Sequence, residues 1–99
     1  MAKVLNTEEV LVLASEAFLG DDYFRDEPEM SNAGTLVTGP AAGREAGVRV
    51  GEREGRMTVR VFVPGSSTLS QSFDFPSEEA TEETVTQGIQ QALAAQAKW

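Results

Sequence analysis

The chain has 99 residues, no cysteine and no histidine, and sixteen acidic against eight basic side chains, for a net charge of −8. A single domain over residues 1–99 of this size has a thin core with little room for an internal reaction cavity. The missing His and Cys remove the commonest general base, thiolate nucleophiles and the usual zinc and iron–sulfur ligands, while the acidic balance disfavours direct nucleic-acid binding.

Asn6 predicts the start of a first helix, with Glu9 placed to complete a capping box and Leu5 and Val10 at the two positions of a hydrophobic staple. Val10, Leu13, Ala14, Ala17 and Phe18, widened by Leu11, follow the spacing of one buried face, and Gly20 is placed to end the helix. Asp21–Ala33 (DDYFRDEPEMSNA) has no periodicity and Pro28 excludes a continuous helix, so it reads as a loop. Thr35–Thr38 is short and β-branched, a candidate strand that Gly39–Gly43 (GPAAG) should break.

Two alternating arms follow. Ala46, Val48 and Val50 alternate with Gly47, Arg49 and Gly51; Met57, Val59, Val61 and Val63 alternate with Thr58, Arg60 and Phe62. Pairing Val50 with Val59 puts Val48 opposite Val61 and Ala46 opposite Val63, with every apolar residue on one side. A one-residue slip would set Val48 against Arg60, so the apolar pattern selects the first register. The arms then meet at an Arg53–Arg56 turn in which Gly55 supplies a positive φ. Past Pro64–Ser67, Leu69, Gln71, Phe73 and Phe75 define a third strand facing Val63, Val61, Val59 and Met57.

Pro76–Ser77 should end that strand and cap a second helix, with Glu78, Glu79, Glu82 and Glu83 at its positive end and Lys98 at the other. Val85, Ile89, Ala92, Leu93 and Trp99 form its apolar stripe, and Gly88 invites close approach by Ala14 or Ala17. The expected fold class is α+β, a two-layer α-β-β-β-α arrangement. Its antiparallel meander has three strands, or four with Thr35–Thr38, and both helices pack on one face. The run from Ser72 to Gln96 is similar in style to segments of many bacterial and phage structural proteins, a likeness too generic to carry any site across.

Charge is segregated: residues 44–60 hold Arg44, Arg49, Arg53, Arg56 and Arg60 against Glu45, Glu52 and Glu54, a sum of +2, which leaves −10 for the rest. Dinucleotide- and phosphate-loop motifs are missing, as is the ligand spacing of a calcium loop, so no catalytic residue, metal site or cofactor is expected. Two patches are candidates for partner binding. Arg49, Arg60 and Phe62 share the outward face of the hairpin, where the two arginines oppose each other; they form an anion or acidic-partner patch unless Glu45, Glu52 or the acidic loop neutralises them. Asp21, Asp22, Tyr23, Phe24, Asp26 and Glu27 place aromatics among acids, suited to a basic, apolar groove, unless the aromatics only plug the core.

The expected function is a small acidic, non-catalytic protein-interaction module: an adaptor, chaperone-like or phage-type accessory protein whose protein partner has a basic surface. Alternatives are an acidic inhibitor that mimics nucleic acid and a self-assembling virion or structural subunit; homodimerisation is left open. With no apolar stretch near the roughly 18 residues of a membrane span and no secretory signal, a cytoplasmic location is expected, without membrane contact.

Overall fold

The sheet is built by chain neighbours only, in a computed structural model that describes residues 3–20, 29–31, 34–41, 44–66 and 68–97. Helix α1 spans Thr7–Leu19. Strands β1 (Glu29–Ser31), β2 (Gly34–Ala41), β3 (Arg44–Arg53), β4 (Arg56–Phe62) and β5 (Ser70–Pro76) follow, and helix α2 spans Glu82–Gln96. The five strands lie in the order β1-β2-β3-β4-β5, each antiparallel to the next. This is the α+β two-layer meander with two helices, extended beyond the expected strand count.

Register follows the apolar alternation. Val48 faces Val61 and Val50 faces Val59, while Met57 and Val59 meet Phe75 and Phe73 on β5. Val37, Ala46, Val48, Val50, Met57, Val59, Val61 and Phe75 are buried on the helix-covered side. The β3–β4 turn has Glu54 at φ 52 and Gly55 at φ 78, the two positive values a primed two-residue turn needs. Only the glycine was expected there; a side chain in this region costs roughly 1–2 kcal/mol.

Two strand expectations are corrected. Thr35–Thr38 belongs to a longer strand that runs through Gly39 and Pro40 to Ala41, in register with β3 from Thr35 to Ala41, with Pro40 opposite Glu45. The stretch read as loop up to Ala33 also contains β1.

At the start of α1, the Asn6 side chain accepts from the Glu9 N–H at 2.8 Å and the Glu9 carboxylate accepts from the Asn6 N–H at 3.2 Å, the expected capping box. Lys3 Nζ lies 2.6 Å from Glu9, and this bond, followed by that of the Asn6 N–H, holds the Glu9 carboxyl below its ordinary pKa. Burial along α1 runs in two i, i+4 rows, Val10-Ala14-Phe18 and Leu11-Ser15-Leu19. Ser15 is therefore buried by its place between two leucines, whereas Ala17, expected inside, is exposed.

The second helix begins later than expected. A 3-10 turn occupies Ser77–Glu79, and Thr81 caps α2 by accepting from the Thr84 N–H at 3.3 Å, so only Glu82 and Glu83 stand in its first turn. Buried Ala80 separates the turn from the helix, and its carbonyl accepts from the Leu5 N–H at 2.7 Å. Val85, Ile89, Ala92 and Gln96 are buried; Lys98 and Trp99 lie outside the described residues. The atoms nearest to Gly88 belong to the ring of Phe73 from β5. Among the described residues no helix is long and apolar enough to cross a membrane.

Candidate binding face

Strand alternation that sends the valines inward sends another set outward, away from both helices. Across β2, β3, β4 and β5 one row reads Leu36, Arg49, Arg60, Ser72, and the next reads Thr38, Gly47, Phe62, Ser70. Arg49 and Arg60 are thus direct cross-strand partners, as the apolar pattern required, and the like charges repel locally.

Gly47 forms the floor of the site. A β-carbon built there would lie 2.8 Å from Cζ of Phe62 and 3.1 Å from Cδ1 of Leu36, so the Phe62 ring reaches across β3 into space that only glycine leaves. The two guanidinium carbons lie 5.5 Å (Arg49) and 5.3 Å (Arg60) from the ring centroid. Each is in cation–π range, about 0.5–1 kcal/mol for an exposed pair. The ring therefore serves as a shared backing for two cations.

Neither cation has a counter-ion among the described residues. Among the described residues no carboxylate lies within ion-pairing distance of Arg49 or Arg60, and Glu45 and Glu52 do not fill that place. Of the acids on this face, Asp74 is 3.2 Å from Arg56 at the far end of β4, and Glu45 stands at the opposite end of β3. Arg49 is half-buried, and its Nε is shut off from solvent without a hydrogen-bond partner. A buried donor left unmet costs about 1–3 kcal/mol, more when charged. Arg60 is exposed.

The structure thus brings Arg49, Arg60 and Phe62 into one cluster. The other candidate residues, Asp21, Asp22, Tyr23, Phe24, Asp26 and Glu27, lie outside the described residues. Sequence reading missed Leu36, Gly47 and Ser72 as parts of the face. Their signal was available only after the register: counting across from Phe62 leads to Gly47, and from Arg60 to Ser72 and, through Arg49, to Leu36. Among the described residues no group of three or more acids stands close enough to hold a metal ion.

The chain matches no family model, no curated protein and no solved structure. Inference about function therefore rests on the face itself.

Proposed function

We propose that this chain is a small, non-catalytic protein-interaction module whose outer sheet face receives an acidic group of a protein partner. One observation carries the reading: two opposed arginines share a phenylalanine backing and have no counter-ion among the described residues. A protein that only needed a solvated face would gain by alternating charge at this pair. Guanidinium groups stacked on a ring are held with their forks oriented, which lowers the ordering cost of binding a planar or tetrahedral anion.

A basic partner surface is the complementary proposal for the acidic segment Asp21–Glu29, and a cytoplasmic setting belongs to the same reading of a cysteine-free chain. The nucleic-acid-mimic alternative needs its acids on one continuous surface. Exposed Glu78, Glu79, Glu82 and Glu83 stand together by the start of α1, which Leu5 ties to Ala80.

The test is fluorescence anisotropy with two short labelled Arg-flanked peptides, one with a central Glu and one with a central Gln, over a range of salt. We expect the Glu peptide to bind more tightly through the outer face and to lose that advantage on replacing Arg49 and Arg60 by Gln. Retention of the advantage by that double variant removes the outer face from the reading. Light scattering on the same samples detects self-association, the outcome that would favour an assembly subunit.

A further inference from the structure

The charge count on the outer face discriminates between kinds of anion. Arg49 and Arg60 present two positive charges at directly opposed positions, with no carboxylate in ion-pairing range among the described residues. A single carboxylate shared between them leaves one charge uncompensated, and so does a phosphodiester. A phosphomonoester carries about −1.5 to −2 at neutral pH and three strong acceptor oxygens. That matches both guanidinium forks and leaves an oxygen for a neighbouring donor. Ser72, directly opposite Arg60 on β5 and exposed, puts a hydroxyl in the same cross-strand row.

We propose that the outer face recognises a phosphorylated serine or threonine in a partner protein segment, with Arg49 and Arg60 binding the phosphoryl oxygens and Ser72 donating a further hydrogen bond. The proposal rests on the reading of this face as the partner site. Two features favour a peptide over other carriers of phosphate. The net charge of −8 repels polyanions and anionic bilayers, but it attracts one phosphoryl group set in a basic segment. Among the described residues the exposed large apolar side chains, Val4 and Val12, lie on the N-terminal segment and α1, on the other side of the sheet. A partner with a basic surface and one phosphorylated site fits both signs of charge on this chain.

The test uses three short Arg-flanked peptides, identical except for a central phosphoserine, glutamate or serine. Inorganic phosphate, a single-stranded oligonucleotide and anionic phosphatidylserine vesicles complete the set. We expect the phosphoserine peptide to bind roughly tenfold or more tighter than the glutamate form, as paired Arg forks on a dianion should. Inorganic phosphate should compete with it. Arg60→Gln, at an exposed position that leaves folding intact, should bring the phosphopeptide close to the serine form, and Arg60→Lys should fall between. Ser72→Ala should weaken only the phosphopeptide. Equal binding of the glutamate and phosphoserine forms overturns the phosphoryl inference and leaves the acidic-partner reading standing. No binding by any peptide overturns both. Tighter binding of the oligonucleotide or the vesicles overturns the peptide assignment.

Discussion

The ring of Phe73 on β5 lies over Gly88 on α2, with Cγ 3.0 Å from where a β-carbon would stand and Cδ2 and Cε2 closer still. This contact joins the second helix to the edge of the sheet, and it gives a mid-helix glycine a packing role. Gly88→Ala gains about 1 kcal/mol of helix propensity. It also forces a packed ring to move, at about 1–3 kcal/mol. We expect net destabilisation, read as a lower thermal midpoint, and recovery when Phe73→Leu is added. A higher midpoint for Gly88→Ala alone would contradict the contact.

The two faces of β4 should respond oppositely to the same charge. Val61 is buried among the inward residues, so Val61→Asp places an unpaired carboxylate in the core and should abolish cooperative unfolding. Phe62→Asp removes the ring from the outer face but leaves the core intact, and should keep a cooperative transition in urea. It should lose partner binding.

Glu54 occupies a positive φ at the first central position of the β3–β4 turn. Asparagine tolerates this region better, so Glu54→Asn should stabilise the protein by about 0.5 kcal/mol or more. The check is the urea midpoint; no change, or a loss, would mean that Glu54 makes a compensating interaction.

At the first helix, Asn6→Ala removes the cap and should cost about 1 kcal/mol. Glu9 gives that end a pH dependence. Its folded pKa is depressed, first by the Lys3 hydrogen bond and then by that of the Asn6 N–H. The stabilisation is complete above the carboxyl's unfolded pKa and disappears as pH falls through the lower folded value. Wild-type protein should thus lose more stability on acidification than Glu9→Gln does. Identical pH profiles for the two would exclude the capping box as their source.

Arg60→Glu separates stability from binding. Opposite charges facing each other across β3 and β4 should stabilise by about 0.5 kcal/mol relative to the arginine pair. The same substitution should abolish anion binding. A variant that is both less stable and still able to bind would show that the pair is structural.

The hairpin was legible because its two apolar faces admit one register, and that register by itself brings Arg49 and Arg60 together. Asn6 and Glu9 were legible because a capping box is a local pattern. Less accessible were features set by distant parts of the chain. Pro40 looked like a breaker because nothing local says that the strand continues through it in register with β3. Ser77 looked like a helix cap, but the buried position of Ala80 delays the helix to Thr81. The partner of Gly88 depended on how α2 crosses the sheet, and the stack of Phe62 over Gly47 on a side-chain conformation that alternation does not encode.

The strand order also bears on how the protein is made. Each strand pairs with the one synthesised just before it, so the meander can form as it leaves the ribosome. Its apolar side near β5 is different: Phe73 and Phe75 wait for α2, which is translated after every strand. Until then a nascent chain holds an uncovered patch next to a free sheet edge, the combination most prone to misassociation. Slow docking of α2 once β5 has joined the sheet should therefore be the most hazardous step in its folding, and delay within the meander far less so.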